Sequence, residues 1–186
     1  MKKLKIYCVF FITFLALPFF VDGCIIFHKV SYDIKLDTPN SGTVTVTAFD
    51  LRSNAKTNEE FADDKKNLFD FMLKSNKFIQ EQKKAGKNII SRKIFLKDKK
   101  LIGEGVYKFN TITAVEGIQY EDGFHYLNLA PDDSVMDTNG EVITSKGYKR
   151  IMWDNSIKEL KFTMFSFSFD KEKYRELAPF YNSKQK

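Results

Sequence analysis

Between Val30 and Leu36 the chain reads VSYDIKL, in which Val30, Tyr32, Ile34 and Leu36 alternate with Ser31, Asp33 and Lys35. A strict period of two puts the apolar side chains on one face of an extended strand and the polar ones on the other. Such a segment demands a sheet with one dry face, which a helix cannot provide. After the turn-forming TPNSG, residues 43–51 (TVTVTAFDL) supply a second run rich in β-branched residues. The two runs are expected to pair antiparallel. NIISRKIFL and LIGEGVYKF then flank the polar tip KDKK, and FHYLNLA, SVMDT, EVITS and IKELKFTMFSFSF continue the series. Asn139–Gly140 is the strongest short hairpin signal, calling for positive φ at both turn positions. In the last run Leu160, Phe162 and Met164 share one face and Phe165, Phe167 and Phe169 the other. That phase change predicts a bulge near 164–165 or a strand buried on both sides.

One segment carries the helical period instead. Thr57 with Glu60 three residues on is a capping-box signature. Glu59, Glu60, Asp63 and Asp64 crowd the start and Lys83 and Lys84 the end, matching the helix dipole, and Gly86 is a natural stop. Phe61, Leu68, Met72 and Ile79 fall on one stripe, with Lys65 and Ser75 at its other two steps. The pattern predicts a long helix over about 58–85, with a break near Ser75–Asn76 as a variant. DKEKYRELAPFY predicts a short C-terminal helix capped by Asp170 and ended near Pro179. The expected fold is therefore α+β: one domain, mainly antiparallel sheet, with the long amphipathic helix packed on it. The alternative is a barrel-like all-β body with a crossing helix.

The chain opens MKKLK and continues IYCVFFITFLALPFFV, three lysines followed by about sixteen mostly apolar residues, the pattern of a secretory signal peptide. A membrane-spanning helix needs roughly twenty apolar residues; this run holds Pro18 and ends at Asp22. Cleavage after Gly23 would make Cys24 the first mature residue. Val21, Gly23 and Cys24 resemble the lipobox of bacterial lipoproteins, in which an apolar residue stands three positions before the cut and a small residue just before it. Asp22 stands where a small uncharged residue is usual. The resemblance covers the leader and the cysteine alone. It implies a diacylglycerol thioether on Cys24 and acylation of the new amino terminus. Cysteine counting points the same way: of Cys8 and Cys24, only Cys24 would survive cleavage, leaving an odd thiol at the boundary. The expected division is a cleaved signal peptide over 1–23 and a single domain over 24–186 with a short tether. The expected address is a bacterial cell envelope, on the outer membrane or cell surface, with a soluble secreted protein as the alternative.

Removing residues 1–23 from the 186 leaves 163, and the loss of Lys2, Lys3, Lys5 and Asp22 takes the formal charge from +6 to +4. The only arginines are Arg52, Arg92, Arg150 and Arg175. A lysine-rich, arginine-poor surface argues against nucleic acid as a partner, since bidentate phosphate recognition favours arginine. Lys93, Lys97, Lys99 and Lys100 read first as a solvated hairpin and second as a contact for anionic headgroups. His28 lies close to the anchor, and His125, on the face of Leu127 and Leu129, reads as structural. No HxxxH, CxxC, GxSxG or SxxK pattern occurs, GEG at 103–105 lacks a GxGxxG frame, and MDTNGE fails the calcium-loop spacing. No metal and no cofactor are expected.

Two constellations remain. Glu104, Glu116, Glu121, Asp132 and Asp133 could supply a carboxylate pair for glycoside chemistry. Nineteen phenylalanines and eight tyrosines make core the first reading of the aromatics. Among Tyr107, Phe109, Tyr120, Phe124, Tyr126, Tyr148 and Trp153, the set Trp153, Tyr148 and Tyr120 is the expected binding surface, with Trp153 the most exposed. The functional expectation is a non-enzymatic lipoprotein held to a membrane through Cys24, binding an envelope protein or glycan. A tethered hydrolase and a carrier of lipid or another hydrophobic ligand are the alternatives.

Overall fold

The structure, a computed structural model, describes residues 25–165 and 173–181. Strand β1 is Ile25–Ile26, β2 Lys29–Thr38, β3 Ser41–Phe49 and β4 Arg52–Ser53. The helical segment holds α1 (Asn58–Lys66), a π-helical turn (Asn67–Met72) and α2 (Asn76–Lys84). It is followed by β5 (Lys87–Lys97), β6 (Lys100–Phe109) and a 3₁₀ turn (Ile112–Ala114). Next come β7 (Gln119–Glu121), β8 (Phe124–Leu129), β9 (Val135–Thr138) and β10 (Glu141–Thr144). Last are β11 (Lys149–Asp154), β12 (Glu159–Phe165), β13 (Arg175–Glu176) and a 3₁₀ turn (Ala178–Phe180).

These strands form three sheets, of order β5-β6-β3-β2-β12-β9, β10-β11-β8-β7 and β1-β4-β13. Every pairing is antiparallel. The alternation in β2 sends Val30, Tyr32 and Ile34 inward, where Val44 and Val46 of β3, Tyr107 and Phe109 of β6 and Leu160, Phe162 and Met164 of β12 join them. His125, Leu127 and Leu129 of β8 and Ile151 and Trp153 of β11 face them from the four-stranded sheet. Trp153 meets Phe162 across the gap at a centroid distance of 5.9 Å, and Phe162 stacks on Tyr32 at 4.6 Å. Each such side chain contributes roughly 1.5–3 kcal/mol by leaving water, so the facing sheets hold together through this layer.

A second cluster fills the other end of the same sheet face. Leu51, Ala55, Phe61, Leu68, Ile94, Leu101 and Leu177 are buried there under the helical segment, and Phe27 touches both clusters. The C-terminal segment closes this end. β13 pairs with β4, and Arg175 donates to Thr57 O at 2.8 Å and Asn58 Oδ1 at 3.0 Å while stacking 3.9 Å from the Phe61 ring.

The expected α+β fold is corrected. The protein is mostly antiparallel sheet, the sheets do not close into a barrel, and no single long helix covers them. The capping box does form, with Thr57 and Glu60 bonded reciprocally. The helix then loosens into the π turn and stops at Ser75, which is extended (φ −73°, ψ 131°) and caps α2 through the amide of Lys77. Arg92, reaching in from β5, donates to both Met72 O at 2.8 Å and Ser75 O at 2.9 Å. Met72 O is a carbonyl that the helix end would otherwise leave without a partner, and Ser75 O is the N-cap carbonyl that opens α2, so one guanidinium from a residue far along the chain ties the two sides of the break together. The inserted π turn also rotates the stripe: the buried positions are Phe61, Asp64 and Leu68, then Phe78 and Gln82, and Ile79 is only half-buried. The short C-terminal helix is likewise absent from the described residues, because 175–176 is a strand and 178–180 a 3₁₀ turn. Its expected cap Asp170 lies outside the described residues, as do Phe167 and Phe169. The phase change at 164–165 coincides with a register shift between Thr163 and Met164 in the β9–β12 pairing.

Asn139–Gly140 does not make a hairpin. β9 belongs to the six-stranded sheet and β10 to the four-stranded one, so these residues form the corner between them. Asn139 donates to Glu159 O and accepts, through Oδ1, from the Lys161 amide at 2.8 Å and the Trp153 indole at 2.9 Å. A Cβ on Gly140 would lie 2.6 Å from Met152 O and 2.7 Å from Trp153 Nε1, so only glycine fits. The tight two-residue turn of this region is Asp122–Gly123, between β7 and β8, with φ of 50° and 83°.

Candidate functional site

The expected surface residues separate. Trp153 is fully buried, its indole N–H satisfied by Asn139. The polar neighbours in RIMWDNS suggested exposure, but in β11 they alternate to the other face or sit in the turn beyond it. Tyr120 is half-buried on the same inward row, its ring tilted 38° and centred 4.6 Å from that of His125, which lies opposite both Tyr120 and Trp153. Burial holds the His125 imidazole below its ordinary pKa, against the opposing effect of the Nε2–H bond to Pro39 O at 2.7 Å. Tyr148 alone of the three is open to solvent, 45% exposed. Val21, Gly23 and Cys24 lie outside the described residues. The described chain enters β1 at Ile25, directly after Cys24, and His28 donates its amide to Phe49 O.

Tyr148 is brought to the outer face of the four-stranded sheet beside Arg150 and Tyr126. Register places Met152 opposite Tyr126, Arg150 opposite Asn128, and Ile143 opposite Arg150. The Arg150 guanidinium carbon sits 4.3 Å from the Tyr126 ring centroid and 5.7 Å from that of Tyr148. Its Nε–H donates to Asn128 Oδ1 at 2.8 Å, which fixes the plane of the group. The Tyr126 hydroxyl lies 2.6 Å from Gln119 Oε1 and 3.0 Å from Glu121 Oε2, within donating reach of either. The bond to Glu121 raises its pKa, because ionisation would lose that bond and set two anions together. Phe124 adds an edge that is 38% exposed. The result is a broad, part-apolar platform with one oriented cation.

The other three arginines are engaged elsewhere. Arg52 pairs with Asp50 and Glu176, both at 3.1 Å, Arg92 caps the helix break, and Arg175 binds Thr57, Asn58 and Phe61. Three of the four arginines thus tie the backbone together, and the fourth lies on an aromatic face.

The carboxylates expected for hydrolysis lie in separate places. Glu104 pairs with Lys93 at 2.8 Å on the outer face of the six-stranded sheet. Glu116 is buried 3.7 Å from Lys87, Glu121 holds Tyr126, and Asp133 accepts from the Ala130 amide in the turn shared with Asp132. Burial raises the Asp133 pKa, against that amide bond. Lys87 and Glu116 sit beside Tyr107, whose ring centroid is 5.4 Å from Lys87 Nζ. Burial lowers the Lys87 pKa, which Glu116 opposes, and burial first and Glu116 second raise that of Tyr107. This group lines neither of two surface depressions: one of about 380 Å³ beside the π turn and one of about 400 Å³ on the Ser/Thr face of β2, β3 and β12. Beneath the helical segment, where a carrier would need space, the second cluster is packed. Among the described residues no three His, Cys, Asp or Glu side chains gather to hold a metal, and no helix is long and apolar enough to cross a membrane.

No protein-family model, curated protein or solved structure matches the chain, so its function has to be argued from its own surfaces.

Proposed function

We propose that this is an exported lipoprotein of a bacterial envelope, held to the outer membrane or cell surface through Cys24. It acts without catalysis, binding a protein partner with the outer face of the four-stranded sheet. The observation that carries this reading is Arg150 laid over the Tyr126 ring beside exposed Tyr148 and Phe124. Tyrosine, phenylalanine, methionine and arginine are enriched in protein interfaces, and tyrosine and arginine among the residues that dominate affinity. The platform is also pre-organised: Asn128 and Glu121 already hold Arg150 and Tyr126, so little side-chain freedom is lost on binding. The leader and the odd thiol support the address, and two or more acyl chains make a stable anchor where one is marginal. Neither hydrolysis nor lipid carriage gains a specific observation.

The test joins anchor and face. Mass spectrometry of protein from its native membrane should find an acylated Cys24 at the amino terminus; an unmodified, soluble protein contradicts the anchor. Chemical cross-linking in intact cells should give a discrete protein adduct that the Tyr148→Ala, Arg150→Ala double variant loses while folding normally. Retention on cell-wall polysaccharide in place of an adduct, lost in the same variant, would move the partner to the glycan class.

A further inference from the structure

Resting on the anchor reading above, we infer that the β5–β6 hairpin tip is a second membrane contact that docks on anionic lipid headgroups. The tip and β1 lie at the same end of the six-stranded sheet. Ile26 is opposite Arg52, Leu51 donates its amide to Leu101 O at 2.9 Å, and Leu101 is opposite Leu96. Summed along this path, Ile26 and Lys100 are no more than about 20 Å apart. Because β1 begins directly after Cys24, an acyl anchor there leaves little slack, and this end of the protein is held against the bilayer. A tethered group a few residues from a surface experiences it as a high local concentration.

The chemistry of the tip fits that surface. Lys97, Lys99 and Lys100 are exposed and have no carboxylate partner among the described residues. Lys93, which the sequence groups with them, is engaged by Glu104 and does not contribute. Leu96 is 48% exposed at the base of the tip, able to enter the headgroup layer. Asp98 and Lys99 turn the chain with φ of 51° and 62°, positions where glycine or asparagine is cheaper than lysine.

The experiment uses the full lipidated protein, purified from membranes and reconstituted in neutral phosphatidylcholine vesicles or in vesicles containing phosphatidylglycerol. Hydrogen exchange of residues 96–101 should be roughly tenfold slower on the anionic vesicles, since each basic residue near such a surface adds to the attraction. The protection should disappear with Lys97→Glu and Lys99→Glu together, weaken in high salt, and survive Lys108→Glu at the opposite end of β6. An acylated protein whose tip exchanges equally on both vesicles overturns the tip contact and leaves the anchor standing. A protein without acyl groups overturns the anchor reading itself, and the mass of the Cys24 peptide tells the two failures apart.

Discussion

On the outer face of the six-stranded sheet, charges meet opposite charges in register; on the outer face of the four-stranded sheet, an arginine lies over aromatic rings. The first face carries Lys161 with Asp33 and Glu159, Lys35 with Glu159, and Lys93 with Glu104, around hydroxyls such as the Ser31–Thr163 pair at 2.8 Å. Its groups are largely satisfied within the face, and exposed pairs of this kind contribute only about 0–1 kcal/mol each. The second face leaves rings open and holds its cation in place. A groove of about 400 Å³ lies on the first face, yet a partner there must displace existing pairs. At the second it would gain apolar burial and a pre-set guanidinium.

The comparison can be broken in several ways, the largest being to expose the layer between the sheets. Trp153→Ala should cost about 3–5 kcal/mol in urea denaturation, the range for emptying a large aromatic from a packed core. A loss below about 0.5 kcal/mol would mean that the ring is on the surface after all. Lys87→Met tests the buried pair against the surface ones. It should cost about 3–5 kcal/mol by removing the cation beside the buried Glu116 carboxylate, and adding Glu116→Gln should restore much of that. Tyr148→Ala with Arg150→Ala should weaken partner binding by about 2 kcal/mol or more while stability changes little. Lys161→Ala on the other face should change stability by at most about 1 kcal/mol and binding not at all.

The smallest expected effect is a pH dependence. Burial holds the folded pKa of His125 below its unfolded value of about 6.5. As pH falls through that value the unfolded chain takes up the proton first, so stability is full above about 6.5 and declines toward the folded pKa. His125→Gln should flatten this part of the stability–pH curve, measured by urea titration at a series of pH values. An unchanged slope would remove His125 from the account.

Much of the sheet was legible because alternation is a local signal that burial cannot reverse. Val30, Tyr32 and Ile34 faced inward as expected, the TPNSG and KDKK turns joined the strands they separate, and His125 shared a face with Leu127 and Leu129. What failed depended on partners distant in the chain. The helix breaks where Arg92 supplies donors to Met72 O and Ser75 O. Asn139–Gly140 carries every local mark of a hairpin, yet Trp153, Lys161 and Glu159 turn it into a corner between sheets. Trp153 was placed outside because its sequence neighbours are polar, when its own parity in β11 sets its direction. The platform was partly legible: Tyr148, Tyr126 and Phe124 were all candidates. Arg150 emerged only once the other three arginines were seen to be occupied.

The most direct measurement of the central claim is site-specific photo-cross-linking in intact cells, with the reactive group placed at position 148 in one strain and at position 45 in another. The two positions report on the outer faces of the four- and six-stranded sheets. The account predicts a discrete protein adduct from position 148 and none from position 45. An adduct from position 45 alone, or none from either, would contradict it.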